Sequence, residues 1–217
     1  MISHGVILPE LAPATEPSNQ VARRLMCWAA PRMPVNLGGY GSVRPQKDHG
    51  HDLALLLMIN TFVTLFWRSH LLDQTTAQLA EAGYQVTRLD ASGWATEGDL
   101  HREIAQALDF PDYYRCNLDA LNDCMRDVVD GQYGWAAAET AGLVLVFTGY
   151  DQFTRHCPRA AQIVLDIMAD QARSALLFGR RVMCLLQSDD PQIRFEPVGA
   201  TPVMWNDAEW LDARRQP

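Results

Sequence analysis

The hydrophobic pattern of residues 58–110 changes period three times and predicts a strand, a helix, a second strand and a second helix. TFVTLFW (61–67) is β-branched and aromatic, which is typical of a strand. Residues 69–83 carry apolar side chains at helical spacing and end at a glycine, a predicted C-cap. YQVTRLD (84–90) is again strand-like. Because the connections are short, we predict that the two strands lie parallel, as a pair, in one sheet.

Two helices are predicted from their first residues. Thr96 and Asp99 fit a capping box, which opens a helix that Pro111 ends. Asn117 is a favourable N-cap for the next helix, which runs to about Val129. Polar caps therefore mark both helix starts.

The rest of the chain continues the alternation of strands and helices. LVLVFT (143–148) is apolar without alternation, as expected of a strand covered on both faces, and RVMCLLQS (181–188) has the same character. Residues 158–177 form a predicted helix between them. The whole pattern predicts an α/β fold, a small parallel β-sheet of three to four strands flanked by helices.

Amino-acid composition divides the chain into an N-terminal extension, residues 1–57, and a domain, residues 58–217. Residues 1–57 are rich in proline and lack a sustained apolar period, so we predict a poorly ordered N-terminal extension. Its segment DHGHD (48–52) contains metal-ligand residue types, but a stable metal site needs further ligands and support, so we expect a solvated linker. Residues 58–217 form the predicted domain. Met58 precedes its first strand, and N-terminal sequencing would decide whether it is the native start.

Net charge and cysteine content exclude several classes of protein. The 26 acidic and 18 basic residues give a formal charge of -8, so we expect a basic partner and no direct binding to nucleic acid. The five cysteines form no CxxC pair, and their odd number argues against the disulfide framework of a secreted protein. The apolar segment 53–67 is shorter than the ~20 residues of a membrane span. We therefore expect a soluble, cytoplasmic protein.

The acidic segment 99–130 is the strongest functional signal. It contains eight acidic residues and three arginines. Asp119 and Asp123 lie four positions apart in the predicted helix, where two like charges cost on the order of a few tenths of a kcal/mol. The apolar residues of that helix place both carboxylates away from the core. Because Tyr113 and Tyr114 precede the helix, the segment combines aromatic rings with fixed charges, which is typical of protein-binding surfaces.

Catalysis by the two aspartates is an alternative. Their spacing is compatible with the carboxyl separation of a retaining glycosidase, so distance alone does not exclude it. Side chains one turn apart on a convex helix, however, leave no room for a substrate bond between them. No phosphate-binding glycine loop or nucleophile elbow is present. Cys124 lies between Asp123 and Asp127, where a thiolate is disfavoured. A carboxylate-pair hydrolase is therefore the less favoured alternative.

The segment DLHREIAQALDFPDYYRCNLDALNDCM (99–125) resembles, without a gap, the signature segment of the barstar family, intracellular inhibitors of the ribonuclease barnase. The likeness extends over about residues 84–188. Residues 58–83 then add a strand and a helix, and residues 189–217 form a C-terminal extension. The resemblance implies a barstar-like fold and a protein that binds a ribonuclease through this loop and helix, without a cofactor or a metal.

The resemblance also implies a set of partner-binding residues. Asp123 matches the carboxylate that takes the place of a substrate phosphate in the nuclease, and Asp119 matches a second contact residue. The other matched positions are packing, hydrogen-bonding or acidic contacts: Tyr113, Asn117, Leu118 and Asp170.

Two further residues of the predicted partner-binding set, Arg115 and Asn122, depart from the family pattern. Arg115 stands where the family has a glycine after the second tyrosine, and Asn122 stands where it has a tryptophan on the helix. A bulky cation replaces a close backbone approach, and an anchoring ring is lost. These changes favour a different ribonuclease, or another basic protein, over barnase.

We therefore predict an inhibitor or immunity protein that blocks the active site of a basic ribonuclease. The main alternative is a non-enzymatic interaction module that kept the same scaffold and binds another basic protein.

Overall fold

Helices and strands alternate along the described part of the chain. The computed structural model describes residues 53–60 and 62–215. In chain order the elements are α1 (Leu53–Asn60), β1 (Val63–Phe66), α2 (Ser69–Glu81), β2 (Tyr84–Asp90), α3 (Glu97–Ala107), α4 (Leu118–Val129), β3 (Gly142–Thr148), α5 (Tyr150–His156), α6 (Pro158–Leu177), β4 (Val182–Gln187) and β5 (Met204–Trp205). Short 3-10 turns lie at Ala91–Gly93 and Ala213–Arg215.

The described strands form one parallel sheet in the order β2-β3-β4-β1-β5. This confirms the predicted α/β fold, a parallel sheet flanked by helices, with five strands instead of three to four. β5 contains only Met204 and Trp205, which is too short for a hydrophobic pattern to reveal.

The predicted pairing of the first two strands is wrong. β1 pairs with β4 and β5, whereas β2 pairs with β3 at the edge of the sheet. β2 carries Gln85, Thr87 and Arg88, polar side chains that a central strand covered on both faces does not accommodate. α2 therefore carries the chain past two intervening strands before β2 begins.

Successive side chains of the central strands enter two separate cores, one on each face of the sheet. On one face Leu143, Leu145 and Phe147 pack with α3, α4 and α6. On the other face Val144 and Val146 pack with α1 and α2. All six residues of β4 are buried, as predicted for a strand covered on both faces. The acidic helix α4 therefore lies on a different face from α2.

Both predicted helix caps around the acidic segment are confirmed. Thr96 Oγ1 accepts from the backbone N of Asp99 at 3.3 Å, and Asp99 Oδ2 accepts from the backbone N of Thr96 at 2.9 Å. Hydrogen bonds from Thr96, and then from Arg102, lower the pKa of Asp99 to about 2. At α4, Asn117 Oδ1 accepts from the backbone N of Ala120 at 2.8 Å. Local polar contacts thus fix the start of both helices.

Helix α1 begins at Leu53, so the predicted boundary between residues 57 and 58 falls inside this helix. Residues 53–57 are therefore helical and do not belong to a poorly ordered extension. Met58 is buried in the core that α1 shares with α2 and the sheet. The rest of the predicted extension, including DHGHD (48–52), lies outside the described residues.

The C-terminal segment is joined to the sheet by a buried carboxylate. Glu209 is 0% exposed and accepts from the backbone N of Trp67 at 2.9 Å and of Arg68 at 2.8 Å. The side-chain amide of Asn206 also donates to it. Arg68 is the N-cap of α2 and makes no side-chain capping bond, so Glu209 supplies an acceptor at this helix start. The C-terminal segment is thus an integral part of the described fold.

None of the helices in the described residues is long and apolar enough to span a membrane.

Candidate functional site

The loop between α3 and α4 is held in place by a buried histidine. His101 is 1% exposed, and its Nδ1 forms a hydrogen bond with the hydroxyl of Tyr114. Burial raises the pKa of Tyr114 above its usual range, so this hydroxyl stays protonated. The ring of Phe110 packs edge-on against Tyr114, with centroids 4.9 Å apart. These contacts fix the loop on which Tyr113 is exposed.

Replacing Tyr114 by phenylalanine is expected to lower the free energy of unfolding by about 1 kcal/mol, because the hydrogen bond between Tyr114 and the buried His101 is lost. Urea denaturation measures this change, and amide exchange of residues 112–116 should accelerate in parallel. Tyr113→Phe is the matched control, since Tyr113 is exposed and its hydroxyl lies in solvent. Equal stability of both variants would contradict the anchoring role of Tyr114.

Asp119 and Asp123 point away from the core, as predicted. Both residues are exposed, and the side chain of Asp123 is 71% exposed. Arg126 NH1 lies 3.5 Å from Asp123 Oδ1, and this arginine is itself exposed. An i,i+3 pair in contact with water contributes roughly 0.3–0.5 kcal/mol. Within residues 53–60 and 62–215, Asp123 is therefore accessible and only weakly paired.

A groove of about 410 Å³ lies between α4 and α6, beside these carboxylates. Its walls combine aliphatic side chains, three carboxylates, an amide and an arginine, contributed by Leu118, Asp119, Asn122, Ile163, Asp166, Ile167, Asp170, Arg173 and Gly199. Apolar surface next to carboxylates suits the aliphatic stem and cationic head of an arginine or a lysine. The groove therefore has the chemistry of a receptor for a basic side chain.

α6 contributes two carboxylates to this groove, and only one of them was predicted. The side chain of Asp170 is 67% exposed, and Arg173 NH2 lies 3.7 Å from its Oδ1. Asp166 lines the same groove and was missed. The like-charge spacing that identified Asp119 and Asp123 also relates Asp166 to Asp170, so the same criterion applied to α6 finds it.

The two positions that depart from the family pattern have different surroundings. Arg115 is exposed and does not have a positive φ; the positive φ angles of residues 109–117 are 50° at Asp109 and 48° at Cys116. The arginine is therefore accommodated without backbone strain. Asn122 is half-buried, and its Oδ1 accepts from Gln171 Nε2 at 2.8 Å. Asn122 thus links α4 to α6 at the groove.

The structure brings four of the eight predicted partner-binding residues into the groove: Leu118, Asp119, Asn122 and Asp170. Tyr113 and Arg115 are exposed on the preceding loop, and Asp123 is exposed on α4. Asn117 instead caps α4 with its side chain. We refer to residues 109–117, the exposed face of α4 and the groove together as the acidic surface.

Two observations concern a cysteine nucleophile and a metal site at this surface. Burial raises the pKa of Cys124, and the carboxylates of Asp127 and Asp123 raise it further, so its thiol is a poor nucleophile. Within the part of the chain that the structure describes, no group of three histidine, cysteine, aspartate or glutamate side chains is placed to hold a metal ion.

Comparison with known proteins places this surface in a recognised domain. Residues 84–187 match the model of the family described as "Barstar (barnase inhibitor)". The Bacillus subtilis (strain 168) protein named "Putative ribonuclease inhibitor YrdF" is 58% identical over 31 residues, which are 14% of this chain and 34% of that relative. The match thus spans about a third of the relative's length. The family match includes α3, α4 and α6, the helices that carry most of the acidic surface.

Proposed function

Because residues 84–187 belong to the barstar family, we propose that the protein is an inhibitor or immunity protein that binds a basic ribonuclease and blocks its active site with the acidic surface. The observation that carries this proposal is the exposure of Asp119 and Asp123 on α4, next to a groove with two further carboxylates. Ribonuclease active sites gather cationic side chains around RNA phosphates. Carboxylates on a rigid helix can bind the same cationic side chains in place of those phosphates.

Asp123 is the residue that we expect to take the place of a phosphate. A carboxylate accepts two hydrogen bonds from one guanidinium, and such charge-assisted pairs are stronger than neutral hydrogen bonds. Among the described residues, the ion pair that Asp123 gives up on binding is the exposed one with Arg126. The formal charge of -8 adds long-range attraction toward a basic enzyme.

Exposure of the acidic surface supports binding over catalysis. Asp119, Asp123 and Asp170 are all exposed. A carboxylic acid that donates a proton near neutral pH needs an environment that raises its pKa, most often apolar burial. Asp119 lines the groove, whereas Asp123 lies outside its lining, so the two do not flank one cleft. We therefore assign no catalytic residue and no cofactor.

The surroundings of Arg115 and Asn122 favour a ribonuclease other than barnase. Arg115 adds an exposed cation to a surface on which acidic side chains outnumber basic ones. The amide oxygen of Asn122 accepts a hydrogen bond from Gln171. Asn122 therefore provides a partner with less contact surface than an exposed aromatic ring would. We expect the partner enzyme to place an acceptor opposite Arg115.

Inhibition of purified enzymes tests the proposal. The protein is titrated into barnase and a panel of small basic bacterial ribonucleases, and hydrolysis of a fluorogenic oligoribonucleotide is measured. We expect one-to-one inhibition of at least one enzyme of the panel. Failure to inhibit any of them, together with tight binding to another basic protein, would favour the interaction module instead. Hydrolytic turnover by the protein itself, lost in Asp119→Ala, would favour the hydrolase.

Association with the ribonuclease is expected to depend strongly on salt. Raising sodium chloride from about 0.05 M to about 0.5 M should lower the association rate constant by about tenfold or more, because the screening length falls below 10 Å. The dissociation rate constant should change less, since contacts formed in the complex are desolvated. Stopped-flow fluorescence measures both constants. An association rate that is independent of salt would contradict electrostatic steering.

A further inference from the structure

The turn formed by residues 196–201 borders the same groove as α4 and α6, through Gly199. We propose that this turn is a second contact region for the ribonuclease and helps to select which enzyme is bound. The inference rests on the proposed function, because the partner is the same enzyme. The turn lies beyond residues 84–187, so it gives this chain a contact region outside the segment that matches the family.

Contacts within the turn hold it in one conformation. Val198 is buried and pairs with Thr201 in an antiparallel bridge, in which the backbone N of Val198 donates to the Thr201 carbonyl at 2.9 Å. Gly199 has a φ of +65°, a conformation that favours glycine. A turn that is ordered before binding loses little conformational entropy when a partner contacts it.

Two side chains of α6 attach the turn to the groove. Gln162 donates to the carbonyl of Glu196 at 3.3 Å and accepts from its backbone N at 3.0 Å. Arg173 NH1 donates to the carbonyl of Val198 at 3.4 Å, and Arg173 NH2 lies 3.7 Å from Asp170 Oδ1. Arg173 therefore contacts both the turn and a predicted partner-binding carboxylate.

Gly199 packs closely against the arginine that lies beside Asp170. A Cβ at position 199 would lie 2.8 Å from a guanidinium nitrogen of Arg173, so a side chain there would move this arginine. The turn therefore contacts the groove at the side chain that accompanies Asp170.

The outer side of the turn suits a basic partner. Glu196, Pro197 and Ala200 are exposed. Among the residues that the structure describes, the carboxylate of Glu196 has no ion-pair partner. A cationic side chain entering the groove therefore meets carboxylates on α4 and α6, and Glu196 adds negative charge on the turn. This complementarity fits the basic ribonuclease of the proposed function, which we take as the occupant.

The charge-introducing variant Ala200→Arg tests the inference, with inhibition of the ribonuclease panel as the readout. Its matched control is Ala138→Arg, which adds the same charge at an exposed alanine near Asp130 and Arg180, beside the C-terminal end of α4. We expect the inhibition constant to rise about tenfold or more for Ala200→Arg and to change less than about twofold for Ala138→Arg. Glu196→Gln, which keeps the backbone contacts with Gln162, should raise it by about threefold.

The outcomes separate this inference from the proposed function. If Asp123→Ala loses inhibition while Ala200→Arg and Glu196→Gln inhibit like the wild type, the turn is not a contact region and the proposed function stands. If Asp123→Ala also inhibits like the wild type, or the wild type inhibits no enzyme, both are overturned. Should Ala200→Arg fail to fold, as judged by circular dichroism, Glu196→Gln decides alone.

Discussion

Replacing Asp123 by alanine is expected to weaken ribonuclease binding by about 2–5 kcal/mol, the range for a charge that loses its partner in an interface. The free energy of unfolding should stay within about 0.5 kcal/mol of the wild-type value. The variant removes an exposed pair with Arg126 at 3.5 Å and at the same time relieves repulsion from Asp119, and these small effects oppose each other. Titration calorimetry measures the binding change, and urea denaturation measures the stability.

Asp73→Ala is the matched control for this prediction. Asp73 is also an exposed aspartate in a surface ion pair, with Arg88 NH2 2.8 Å from its Oδ1. It lies on α2, which packs on the opposite face of the sheet from α4. Binding by Asp73→Ala should equal that of the wild type. A large loss of stability in Asp123→Ala with intact binding would make Asp123 structural and remove it from the site.

Replacing Glu209 by alanine is expected to lower the free energy of unfolding by about 3–5 kcal/mol. The side chain is fully buried and accepts from the backbone N of Trp67 and of Arg68 as well as from Asn206. Its removal leaves three partly buried donors without their acceptor, and each unsatisfied group costs about 1–3 kcal/mol, toward the lower end where water reaches the donor. Since whole domains are stable by only about 5–15 kcal/mol, this is a large fraction of the total. Urea denaturation followed by circular dichroism measures the loss.

Asp207→Ala is the control for Glu209→Ala, because Asp207 is an exposed acidic residue two positions away. Its unfolding free energy should stay within about 0.5 kcal/mol of the wild-type value. If Glu209→Ala unfolds at the same urea concentration as Asp207→Ala, the buried carboxylate does not hold the C-terminal segment to the sheet.

The elements that the sequence predicts well are those specified by neighbouring residues. The capping box of Thr96 and Asp99 and the N-cap Asn117 act within one helical turn, so their sequence signals locate α3 and α4. The outward direction of Asp119 and Asp123 follows from the buried positions of the same helix. The fold class follows from the alternation of strands and helices.

Strand order and short elements depend on contacts between distant residues. Whether β2 pairs with β1 or β3 is decided by which strands are covered on both faces, and short connections alone gave the wrong neighbour. α5, which follows the N-cap residue Gly149 with its φ of 61°, and β5 are too short to produce a period. The poorly ordered extension was predicted too long, because seven of the eight residues of α1 are apolar and the helix shows no polar face.

The sequence places the candidate site on α4 and gives only one of the two groove carboxylates on α6. Asp170 was identified through the resemblance, whereas Asp166 was missed although it lies four residues before it on the same helix. The contact of Arg173 with Val198 joins residues 25 positions apart, and no local pattern indicates it. The acidic helix α4 could therefore be predicted from the sequence. The groove could not, because it forms only where α6 and the C-terminal turn pack beside α4.

The most direct test of the central claim is the kinetic mode of ribonuclease inhibition. If the carboxylates of the acidic surface occupy phosphate positions, the protein and RNA exclude each other. The apparent KM for an oligoribonucleotide then rises with inhibitor concentration while kcat stays constant, and a non-hydrolysable RNA analogue displaces the protein. A fall in kcat at constant KM, with RNA still bound in the complex, would contradict occupation of the active site.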